Sequence, residues 1–213
     1  PKRAAQYGPA LAELDRLIAE NNAEALADAK RGLLGRGQLY GAARTLYRWA
    51  NEQAKPDKDR EPGYQARDMA FMTQRLQVIE RRYVAEIDKA LWADGIAEYR
   101  TLPADKRSAA FDAFMEGRDL ASFYTATELG NAPARMEWMG KSVADFKASN
   151  DPFIQLAVAT YDEAMASEAK EKARSGEVQK ARSKVMEARL AYAASQGKTM
   201  YPDANGSLRF TYG

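Results

Sequence analysis

No histidine and no cysteine occur among the 213 residues. Those two absences exclude Ser-His-Asp and Cys-His catalysis within the chain, thiolate chemistry, disulfides, and nearly every zinc or iron site. The lack of cysteine does not fix a compartment. Long apolar runs are missing too, so no segment reads as a membrane span, and no charged-then-apolar leader opens the sequence. Nor is there an excess of one charge. Basic residues number 32 against 30 acidic, net +2, and that balance gives no overall basic field for nucleic acid.

What is present suits a folded chain. Apolar residues make up 46% and charged residues 29%, a balance that disfavours disorder. The length allows one sizeable core or two small ones. The first residue is Pro1 rather than Met, which reads as a start that was cut or engineered.

Helical periodicity dominates. Gly8-Pro9 reads as the opening of a first helix, because proline suits the first helical position. Leu11, Leu14, Ile18, Ala25, Ala29 and Leu33 then form one apolar stripe. Gly32, Gly35 and Gly37 predict a break, each costing about 1 kcal/mol against alanine in a helix interior. The stripe resumes over Leu39, Ala43, Leu46, Tyr47 and Ala50. K-P-D-K-D-R-E-P-G, residues 55–63, cannot continue a helix and reads as a loop, a solvated connector in the first instance. From Arg67 to Tyr99 the spacing of Met69, Met72, Leu76, Ile79, Tyr83, Ile87 and Ala90 predicts one helix with these residues inward. Arg81-Arg82-Tyr83 could hold a phosphate or carboxylate, but reads better as a core tyrosine between surface arginines.

Short, punctuated helices follow: 104–115, 119–129, one capped by Asn131 ahead of Pro133, and one capped by Ser142. Asp151-Pro152 opens the longest helical stretch, running to Ser195, about 65 Å at 1.5 Å per residue. Its centre, S-E-A-K-E-K-A-R-S-G-E, is polar all round, so the helix either bridges solvent there or breaks at Gly176. Gly197 ends it. Asp203-Ala-Asn-Gly looks at first like a calcium loop, but Gly206 is fourth rather than sixth and no acid closes it, which leaves a turn. Nucleotide-binding and G-x-S-x-G motifs are missing.

The last residues break the helical pattern. Leu208, Phe210 and Tyr212 alternate with Ser207, Arg209 and Thr211, the period of a half-buried strand that needs a sheet to join. This stretch, Tyr201-Pro202-Asp203-Ala204-Asn205 with Leu208-Arg209 and Tyr212-Gly213, resembles a segment of the bacterial dipeptidyl-peptidases of types 7 and 11. R-E-P-G-Y-Q-A-R-D from Arg60 to Asp68, Arg81-Arg82-Tyr83, Asp88 and Asp151-Pro152-Phe153 resemble the same family. These are serine exopeptidases of Gram-negative bacteria, in which a helical insertion interrupts a chymotrypsin-like double barrel.

The resemblance implies an all-α chain, with long antiparallel helices plus a cluster of short helices. Residues 1–198 would be a helical cap and 199–213 a strand re-entering a β-barrel that this chain does not contain. It implies no cofactor and no catalytic residue here, the family's histidine, aspartate and serine matching no position. Contacts to the cleft or to a neighbouring domain are expected from Arg60, Glu61, Tyr64, Arg67, Asp68, Asp203, Asn205 and Arg209. Expected partners are the catalytic barrel domain of the same parent chain, an oligopeptide substrate and a second copy of the parent. Nucleic acid and a membrane span are not expected. The expected location is the periplasm or outer membrane. The rival reading is a free-standing helical adaptor, which the lack of catalytic groups favours and the orphan strand opposes.

Overall fold

The computed structural model describes residues 2–198. It is all-α. The helices are α1 (Lys2–Gly32), α2 (Gln38–Gln53), α3 (Met69–Val78), α4 (Ala85–Arg100), α5 (Ala109–Met115), α6 (Leu120–Ala126), α7 (Ala132–Met139), α8 (Val143–Lys147) and α9 (Pro152–Ser195). Among the described residues there is no strand, and no helix is long and apolar enough to cross a membrane. The expected strand at 207–213 lies outside the described residues. By contact the chain divides into two compact units, Glu24–Glu168 and Pro1–Ala23 with Ala169–Gly213.

In the larger unit the core forms around Trp92 of α4, which is wholly buried. Its ring lies 5.7 Å from Tyr40, 5.6 Å from Phe123 and 5.1 Å from Phe153, centroid to centroid. Burying an aromatic of this size contributes about 3 kcal/mol. The indole N–H donates to the Leu34 carbonyl at 3.1 Å, so the one polar atom of the ring is satisfied as well.

Trp92 also dictates how α2 begins. A β-carbon at Gly37 would stand 2.8 Å from the indole Cγ, so the residue preceding α2 can carry no side chain and cannot cap the helix. Asp88, buried on α4, supplies the missing acceptor. Its carboxylate takes the N–H groups of Gln38 at 2.6 Å and Leu39 at 3.4 Å, and the Tyr124 hydroxyl at 3.0 Å. A carboxylate at a helix N-terminus is favoured both by the unpaired N–H groups and by the helix dipole.

The expected caps form as local chemistry requires. Asn131 Oδ1 accepts from Ala134 N–H at 2.9 Å, Ser142 and Asp145 make a reciprocal capping box, and Asp151 Oδ1 accepts from Phe153 N–H at 2.9 Å. The glycine-rich break is present as a single 3₁₀ turn, Leu33–Arg36. The long C-terminal helix continues through Gly176, so its polar centre bridges solvent rather than breaking. It ends at Ser195, and Gly197 just beyond turns the chain with a φ of 67° that favours glycine.

The sequence-based expectations are corrected at several places. Pro9 lies inside α1, not at its start. The run K-R-A-A-Q-Y ahead of it is composed of helix formers, so the missing imide N–H costs one bond without ending the helix. The buried face of α1 also differs from the expected stripe: Leu17 is buried while Leu11 and Ile18 are exposed.

The single helix expected over 67–99 is two helices, separated by a 3₁₀ turn at Ile79–Arg81 and an extended Val84. The cause sits far away in sequence. Arg135 of α7, wholly buried, donates its Nε–H to the Leu76 carbonyl at 2.8 Å and Nη1–H to the Leu129 carbonyl at 2.6 Å. A carbonyl engaged in this way near the end of α3 no longer needs a bond from residue 80, and the helix can turn. Past that turn the register changes, so Ile87 is exposed where the stripe placed it inward. Met69, at the other end of the stripe, is exposed too, whereas Tyr83 packs against the core as expected, half-buried.

In the smaller unit, Tyr7, Ala10, Leu14, Leu17 and Asn21 of α1 are buried or half-buried, as are Arg174, Val178, Ala181, Val185 and Ala188 of α9. Spacings of three and four alternate in both series, the pattern of a helix seam. Its surface carries ion pairs such as Arg16 with Glu13 and Glu20.

Candidate functional site

The segment 55–68 follows α2, and its lone glycine with positive φ, Gly63 at 91°, lets the chain reverse. Carboxylates then tie it to itself. Asp57 Oδ1 accepts from the Ala66 N–H at 2.6 Å and from Arg60 at 3.0 Å. Asp68 Oδ2 accepts from the N–H groups of Gly63 and Gln65, each at 3.1 Å. Arg60 reaches back to the carbonyls of Lys55 at 3.1 Å and Gln53 at 3.4 Å. The bonding makes this stretch an ordered loop, most of it still exposed to solvent as the first reading expected.

Below the loop lies a polar network that the sequence did not single out. Glu52 on α2 is buried, at 2% exposure. It accepts from Lys55 Nζ at 2.9 Å and from the Glu61 N–H at 3.0 Å. Burial alone would raise its carboxyl pKa, but the Lys55 and Glu61 hydrogen bonds together with the charges of Lys55 and Arg48 outweigh it, and the net shift is downward. Arg48, one helical turn earlier, makes a two-point pair with Glu168 of α9, the Nη2–Oε1 arm at 2.9 Å. Its guanidinium also lies 5.0 Å from the Tyr64 ring centroid, a cation–π contact. Tyr64 is therefore held between Arg48 and Trp49, with its carbonyl taking a hydrogen bond from Gln53 at 2.9 Å. Burial pushes its hydroxyl pKa up.

Five of the expected contact residues thus share one loop. Arg60 and Asp68 spend their polar groups on its backbone, Tyr64 is packed beneath Arg48, and Glu61 is half-buried with its N–H on Glu52. Arg67 is exposed, and its guanidinium makes no hydrogen bond or ion pair among the described residues. Asp203, Asn205 and Arg209 lie outside the described residues. One signal for Glu52 was legible: a carboxylate in the last turn of a helix opposes the dipole, and calls for a local partner. Arg48 carried no such signal.

Chemically this arrangement presents an ordered loop with two exposed cations, Lys58 and Arg67, that are unpaired among the described residues, not a nucleophile with its base. Among the described residues no group of three or more acidic side chains is placed to hold a metal ion. The fold and loop define a helical module that displays a surface.

A family described as Peptidase S46 matches residues 1–213, and the chain belongs to it. The chain is 36% identical over 211 residues to the Asp/Glu-specific dipeptidyl-peptidase of Shewanella putrefaciens strain CN-32, a match covering 95% of this chain and 29% of that relative. It therefore spans less than a third of the relative's length.

Proposed function

We propose that this chain is the helical cap of a dipeptidyl-peptidase, covering and gating the cleft of a catalytic domain that supplies all the chemistry. The observation that carries this is the combination of a match to a peptidase family along the whole chain with a sequence containing no histidine or cysteine. Membership in a peptidase family without the histidine that serine or cysteine peptidase triads use is what a non-catalytic part of such an enzyme would look like. The parent removes dipeptides from the free amino end of oligopeptides by serine chemistry on a chymotrypsin-like double barrel, working in the periplasm or at the outer membrane as a homodimer. A cap of this kind excludes water and orders the substrate.

The test compares this chain with the full-length protein on fluorogenic dipeptidyl substrates bearing Asp, Glu or apolar residues at the cleaved position. Release by the full-length protein, blocked by a serine-directed inhibitor, with none from the isolated chain, is expected. Inhibitor-sensitive release from the isolated chain would refute the reading. The relative's preference for Asp and Glu is a property this panel would examine in the parent.

A further inference from the structure

We draw no further inference here: the strongest candidate, the open depression between the end of α4 and α5 lined by Arg100, Arg107, Asp112 and Glu116, carries nothing because Asp112 is already held by the Tyr99 hydroxyl at 3.0 Å and by Arg107 at 3.2 Å, and nothing in the structure points to a ligand for the exposed Arg100 and Glu116 that remain.

Discussion

The backbone carbonyl of Leu33 occupies the space that any side chain at Gly95 would enter: a β-carbon there would lie 2.4 Å from its oxygen. The 3₁₀ turn and α4 are thus in backbone contact, which only glycine permits. Gly95→Ala gains about 1 kcal/mol of helix propensity but must push two backbones apart. Overpacking of this kind costs about 1–3 kcal/mol, and with backbone rather than a flexible side chain as the obstacle the upper end applies. The net expectation is destabilisation of about 2 kcal/mol in a urea titration. Equal or higher stability would mean that the turn can move away from α4 at no cost.

Arg135 provides the second prediction. Its guanidinium is wholly buried and donates to two carbonyls, and among the described residues it makes no ion pair. Its Nη2 has no hydrogen-bond partner, and burial lowers its pKa. Arg135→Met removes the desolvated charge but leaves the Leu76 and Leu129 carbonyls unpaired, each costing about 1–3 kcal/mol. The expected loss is about 3 kcal/mol, with amide exchange of residues 76–84 rising most. Uniform exchange changes across the chain would show that Arg135 is ordinary core filling and does not set the turn.

The same residue shows why part of this fold was legible and part was not. Caps at Asn131, Ser142 and Asp151 depend on residues two or three positions away, and a local pattern reveals local bonds. The end of α3 depends on an arginine 59 residues along the chain, and nothing between Arg67 and Tyr99 announces it. Nor could the loop's order be inferred from its prolines and charges. They showed that a helix must stop, while the bonds that follow are chosen by which carboxylate meets which N–H in space. Asp88 lies between these cases: it stood out by resemblance alone, and its work as a remote cap for α2 follows from Trp92 leaving no room at Gly37.

Glu52 makes stability depend on pH in a direction that can be worked out. Its folded-state pKa is lowered, so its contribution is present above the unfolded carboxyl pKa and is lost as pH falls through the folded value. Glutamine at this position cannot titrate. The stability difference between the wild-type chain and Glu52→Gln should therefore be largest above about pH 5 and shrink steadily below about pH 4. Urea midpoints measured between those limits would show it. A difference that grows toward low pH would mean that burial, not the Lys55 and Glu61 hydrogen bonds, controls this carboxyl.

The last prediction separates a residue that holds the loop, Asp68, from one whose side chain is free to act elsewhere, Arg67. Asp68 accepts two backbone N–H groups, so Asp68→Ala should loosen residues 63–68 and cost about 1–2 kcal/mol. Arg67 is exposed and spends nothing on the loop, so Arg67→Ala should leave stability within about 0.5 kcal/mol. If the loop faces the cleft or the catalytic domain of the full-length peptidase, that guanidinium meets a carboxylate or carbonyl there. A part-exposed contact of this sort is worth about 1 kcal/mol, roughly fivefold in kcat/KM. The signature is a kinetic change at Arg67 without a stability change, with the reverse weighting at Asp68. Arg67→Lys should recover part of the loss if charge is what matters, and less if the contact is two-pronged. A full-length Arg67→Ala protein with unaltered kcat and KM would reduce residues 55–68 to a well-ordered connector, and the loop's part in the cap would have to be given up.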